Sequence, residues 1–218
     1  MPKSLRLLLL LGLLAVIALP VSASSTTYSN RATFLAALSS SFTDDYENPN
    51  YMFIQNDAQM TAVEGQTAYM STGFSNLDIV FNDVGSNHSY CAGCNGSFIL
   101  NFTNTTFGTP GVGVFGVGFD IVDVNQGYFA TVFLGNGMEE QYALPPAGSF
   151  WGITNPALIN HICFGLPNCG ATTSLSFALD NLTIGTPSGG TTPEPSTLIT
   201  LGSGLLACAG FLRRKVKI

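Results

Sequence analysis

The chain has 218 residues, with 7 Lys and Arg against 13 Asp and Glu. Between residues 24 and 190 the imbalance steepens: Arg31 is the sole base beside twelve acids, giving 1 − 12 = −11. So few cationic side chains exclude a nucleic-acid partner and docking on an anionic membrane face, while leaving carboxylates free for a divalent cation.

Residues 1–23 predict a signal peptide. Lys3 and Arg6 precede an apolar run from Leu7 to Leu19, Pro20 ends it, and Val21-Ser22-Ala23 offers small residues for cleavage after Ala23. An exported ectodomain over residues 24–185 follows. Asn30 is placed to cap a short helix through Leu38, with Phe34, Leu35 and Leu38 on one face. Leu77–Val84 alternates with Leu77, Ile79 and Phe81 on one side, and Phe98–Thr103 alternates through Phe98, Leu100 and Phe102. Val112–Val124, Tyr128–Leu134, Leu158–Phe164 and Leu175–Ile184 supply further strands, separated by Gly and Asn-Gly turns. Strands at this spacing predict an all-β fold: an antiparallel two-sheet β-sandwich of jelly-roll type with a short N-terminal helix. Gly113, Gly116 and Gly118 within one strand indicate a bulge or close packing. No Lys follows them as a phosphate loop requires.

Residues 186–192 read as a flexible Pro/Gly/Ser/Thr linker. Beyond it stand Pro193-Glu194-Pro195, a 15-residue apolar run over 198–212, and Arg213-Arg214-Lys215 near the end. The run is shorter than the ~20 residues of an ordinary spanning helix, and its basic flank should stay cytoplasmic. This order and spacing resembles the PEP-CTERM sorting signal, read by the membrane-embedded enzyme exosortase. The resemblance implies processing near Pro193-Glu194-Pro195 and delivery to the cell surface or extracellular matrix, with the 198–212 transmembrane helix as a transient or permanent anchor.

A second resemblance is broader. Phe42-Thr-Asp-Asp-Tyr-Glu47, a Phe-Gly-Val-Gly-Phe-Asp strand, a Trp-Gly-Ile segment and a terminal Asp180-Asn181 strand look similar to carbohydrate-binding-module sandwiches. Such domains often hold a structural calcium, which would fall to Asp45, Glu47 and Asp180. Asp180-Asn181 is also the kind of pair that shapes a turn or bulge. Trp151 and Tyr142 are the candidate aromatics for stacking on sugar rings, with burial in the core as the competing role for Trp151.

Cys91, Cys94, Cys163 and Cys169 predict two disulfides in an exported chain. Three pairings are open, of which the local ones, each closing a single loop, are the simplest. A zinc site drawing on these cysteines with His88 and His161 is the competing reading. Catalytic signatures are missing: there is no Gly-x-Ser-x-Gly elbow and no HExxH. Asp44/Asp45, Asp120/Asp123 and Glu139/Glu140 pair carboxylates as a glycosidase would, and equally read as solvated acids. The expectation is a non-catalytic surface or matrix protein that binds polysaccharide. A structural biofilm component without a small ligand is the alternative, and a secreted glycoside hydrolase ranks last.

Overall fold

A computed structural model describes residues 24–82 and 87–188. The signal peptide (1–23), the sorting residues Pro193, Glu194, Pro195, Arg213, Arg214 and Lys215, and the apolar run 198–212 lie outside the described residues. Among the described residues no helix is long and apolar enough to cross a membrane.

The chain opens with β1 (Thr26–Tyr28), α1 (Arg31–Ala36), β2 (Leu38–Asp44), β3 (Ile54–Gln55) and α2 (Asp57–Glu64). Next come β4 (Ala68–Ser71), β5 (Asp78–Asn82), β6 (His88–Ala92), β7 (Phe98–Asn101) and β8 (Val114–Val124). β9 (Phe129–Leu134), β10 (Glu139–Ala143), β11 (Phe150–Gly165), a 3₁₀ turn (Pro167–Cys169) and β12 (Phe177–Pro187) complete it. Every strand pairs antiparallel within one curled sheet. The curl comes from long strands that change neighbours. The first part of β11 lies between β1 and β8, while its second part lies between β7 and β9. Leu158, in the left-handed region at φ 65°, lies between these parts, and the register with β9 shifts just beyond it, between Ile159 and His161. β12 keeps β8 along one edge and passes from β6 to β2 along the other. Its bulge falls at Asn181, whose φ is 52°. A bulge bends and twists the strand that carries it, which is how one strand serves two layers.

The curl encloses an aromatic core. Phe98, Phe119, Phe164 and Phe177, from four different strands, have ring centroids 5.0–5.9 Å apart, and Tyr90 and Tyr128 extend the cluster. The opposite face near the N-terminus is floored with glycine. A Cβ on Gly118 would stand 2.7 Å from the Phe150 ring and 2.9 Å from the Phe34 ring, and one on Gly152 or Gly116 would stand 3.0 or 3.2 Å from Phe34. The Gly-rich stretch is therefore a floor for the fully buried Phe34 of α1, the close packing that was one of the two expectations.

Both helices begin at Asn caps. The Asn30 side chain accepts from the Thr33 amide at 3.1 Å. At α2, Asn56 and Gln59 form a capping box, and Gly65 closes the helix at φ 68°. α2 was not foreseen, although its capping box is written in the sequence. α1 also stops short of Leu38, which opens β2, and leaves Leu35 exposed. The face expected for β5 is corrected too. Asp78 and Val80 point inward while Leu77, Ile79 and Phe81 are only half-buried, because Asp78 is satisfied inside by the Tyr90 hydroxyl at 2.6 Å. Thr186 and Pro187, expected in the linker, belong to β12, and the Ser188 amide still bonds to the Ala37 carbonyl.

Candidate functional site

The loop from β2 to β3 is wound by its own side chains. Asp44 accepts from the Tyr46 amide, Asp45 from the Glu47 amide, and Asn48 from the Asn50 amide, at 3.0–3.2 Å. Such Asx turns give a polar loop a fixed course. They hold Tyr46 left-handed at φ 57° and send its ring into the core. Asn48 also donates to Glu64 of α2 at 2.8 Å, tying loop to helix.

Behind the loop lies a buried acid ringed by phenols. Tyr51 and Tyr69 both donate to Asp44 Oδ2, at 2.5 and 3.2 Å, and the Tyr46 and Tyr69 hydroxyls meet at 3.1 Å. Burial raises the Asp44 pKa to about 6, against the pull of these hydrogen bonds. In front of the loop, Glu47 takes both the His88 amide and the His88 Nδ1, each at 2.7 Å. This pairing holds the Glu47 carboxyl below its usual range.

Between these walls opens a cleft of about 310 Å³. Its aromatic side is Tyr46, Tyr51 and Phe53, with Pro49 and Val80; its polar side is Glu47, Asn48, Asn82 and His88. The volume sits at the small end of the range for ligand sites. Phe53 is 66% exposed, with Met52 and Ile54 open beside it. The cleft thus offers ring faces, amides and one carboxylate, with no Lys or Arg in its lining.

The expected site residues divide. Trp151 is 5% exposed, its ring set between Phe119 at 5.3 Å and Tyr142 at 6.0 Å. It is a core residue, and the sugar-stacking role expected of it is corrected: burying so large a ring outweighs presenting it. Tyr142 is half-buried against it and donates to Glu140 at 2.6 Å. Cys91 bonds to Cys94 and Cys163 to Cys169, the local pairing, so no thiolate is left there for the zinc alternative. His161 lies flat on Phe133 at 4.2 Å, and burial lowers its pKa.

Asp45, Glu47 and Asp180 were expected around a calcium. Burial first, then the charges of Asp120, Asp45 and Glu47, raise the Asp180 pKa to about 6. The oxygens of the three expected ligands point elsewhere, to the Glu47 amide, to His88 and to Asn181 respectively. Among the described residues no three acid, His or Cys side chains stand together as a cation cage. The charge nearest Asp180 is met by Arg31, which bonds Asp120 Oδ2, the Asn181 carbonyl and the Thr183 hydroxyl at 2.9–3.0 Å.

Tyr51, Phe53, Asn82 and His88 were not anticipated as one site. The Asp/Asn run from Asp44 to Asn50 was the available local signal; the meeting with β5 and β6 had none.

Residues 191–215 match the PEP-CTERM protein-sorting motif, covering Pro193-Glu194-Pro195 and the Arg213-Arg214-Lys215 cluster. This supports exosortase-dependent sorting of an exported protein to the cell surface, with exosortase as processing partner. No curated protein and no solved structure matches the chain.

Proposed function

We propose that the ectodomain works without catalysis at the cell surface or in the surrounding matrix, where its cleft holds a polysaccharide segment. The observation that carries this is the exposed Phe53 ring beside Tyr51, over a cleft edged by Asn48, Asn82 and Glu47. A ring face packs on the apolar face of a pyranose while amides and carboxylate meet its hydroxyls. The acidic surroundings favour a neutral or amine-bearing polymer over a uronate-rich one. The curled sheet is read as a jelly-roll-like sandwich, supported by β11 and β12, each with different neighbours along its two parts. A helix over 198–212 would hold the precursor to the membrane until processing.

Retention of the mature protein on insoluble glucan, chitosan and alginate tests this, each measured with calcium and with chelator. Binding to the first two, weakened at least tenfold by Phe53→Ala, is the expected result. Binding that requires calcium and falls with Asp180→Asn would support a structural calcium at Asp45, Glu47 and Asp180. Failure to bind any polymer under either condition would leave the structural-matrix reading in its place.

A further inference from the structure

The fixed charge available at the cleft is negative. Its lining holds one carboxylate, Glu47, and no Lys or Arg. The bonds Glu47 accepts from the His88 ring and amide favour its ionised form. The wider surface adds no cation to offset it: one base stands against twelve acids between residues 24 and 190, and that base, Arg31, is held at Asp120.

Aromatic rings line the same cleft. Tyr46 and Tyr51 adjoin, with centroids 5.6 Å apart, and Phe53 stands open beside them. The face of an aromatic ring carries partial negative charge and attracts an organic cation brought over it. The hydrogen bonds behind these phenols add to that. Tyr51 donates to Asp44 Oδ2 at 2.5 Å, Tyr69 donates to the same oxygen at 3.2 Å, and the Tyr46 hydroxyl meets that of Tyr69 at 3.1 Å. A phenol that donates to a carboxylate moves electron density onto its ring, and bonds in a chain polarise one another. Asp44 does not itself line the cleft; it reaches it through Tyr51. Carboxylate, rings and buried acid therefore all favour one kind of guest, a positively charged group with an apolar skirt.

We propose that the cleft selects sugars bearing a positively charged amine, with Glu47 and the Tyr51 and Phe53 rings receiving the ammonium group and Asp44 polarising Tyr51 from behind. This rests on the cleft as a polysaccharide site and narrows its ligand to an aminated polymer. A neutral sugar gains the stacking and the hydrogen bonds but nothing from the charge, and a uronate is repelled.

The test is calorimetric titration of the mature protein at low salt with two glucosamine oligomers of equal length, one trimethylated at every amine and the other acetylated. The two substituents have similar bulk, and only the first is charged. At pH 8 Asp44, raised to about 6, is ionised. The expected result is saturable binding of both, with the trimethylated oligomer about tenfold tighter. Glu47→Gln removes the charge and keeps the shape, and should cut that preference about threefold or more. Tyr51→Phe keeps the ring and removes its bond to Asp44, and should cut the preference about twofold or more. A network that only pins the loop would weaken both oligomers alike and leave their ratio unchanged. Glu47 is exposed, so its variant carries the test should Tyr51→Phe lose its cooperative urea transition. Equal affinity for the two oligomers, or an unchanged preference in Glu47→Gln, would overturn the proposal and leave the polysaccharide reading standing. An unchanged preference in Tyr51→Phe alone would strike Asp44 from it. Binding of neither oligomer would overturn the proposal together with the reading beneath it.

Discussion

Glycine at 118 and tyrosine at 90 show how single side chains hold this molecule. A methyl group on Gly118 would push into the Phe34 and Phe150 rings, which are themselves packed 5.6 Å apart. Gly118→Ala should therefore cost about 1–3 kcal/mol as overpacking, read as a lower urea midpoint with unchanged slope. Tyr90 donates to Asp78 inside the core, and the second Asp78 oxygen has no hydrogen-bond partner there. Burial raises the Asp78 pKa, and the Tyr90 hydrogen bond opposes that rise. Tyr90→Phe removes the opposing bond and should cost about 1–3 kcal/mol. Because the loss falls on the charged carboxylate, urea titrations should give a larger cost at pH 8 than at pH 5. An equal cost at both would mean that Asp78 keeps one protonation state from pH 5 to pH 8.

At the scale of elements, the short helices depend on their caps. α2 buries only Met60, so the Asn56–Gln59 box carries much of its definition. Asn56→Ala should cost about 1 kcal/mol, measured by urea unfolding, and should loosen the loop that Asn48 ties to Glu64. α1 is pinned by Phe34 on its glycine floor and by Arg31 at the β12 bulge, where the guanidinium also lies 4.9 Å over Phe150. The Asp180-Asn181 pair is best understood there, since its bulge supplies the carbonyl that Arg31 grips.

For the molecule as a whole, the raised carboxyls predict an unusual pH profile. Asp44 and Asp180 titrate near 6 when folded, and Asp78 is also raised above its ordinary 3.8. A folded pKa above the unfolded one means the folded state holds more protons between the two values. That contribution is complete below about pH 4, and the Asp44 and Asp180 shares are lost as pH rises to about 6. For buried Asp44 alone the change is on the order of 3 kcal/mol. Glu47 works the other way: its stabilisation by His88 is present above its usual range and lost as pH falls through its lowered value. His161, its pKa lowered by burial, likewise favours the higher pH, but the three raised carboxyls outweigh it and predict a higher urea midpoint at pH 5 than at pH 8. A midpoint that climbed towards pH 8 instead would show these carboxyls to be ionised and paired in solution.

The amino-acid order by itself determined what depends on local pattern. Apolar alternation marks Phe98, Leu100 and Phe102 as core, the Pro-Glu-Pro, apolar and basic succession marks the sorting tail, and Asn30 marks a helix start. The disulfide partners stayed open until the fold brought each cysteine to its neighbour, because one spacing admits several pairings. Only the tertiary structure decided that Trp151 is buried, that Asp78 rather than Ile79 faces inward, and that Gly116 and Gly118 clear room for Phe34. Those outcomes turn on cross-strand neighbours: Tyr90 makes an inward carboxylate tolerable, and Phe119 with Tyr142 makes a pocket for an indole. The cleft belongs to the same class, since Glu47 and His88 meet across 41 residues through a β12 bulge that no local alternation could announce.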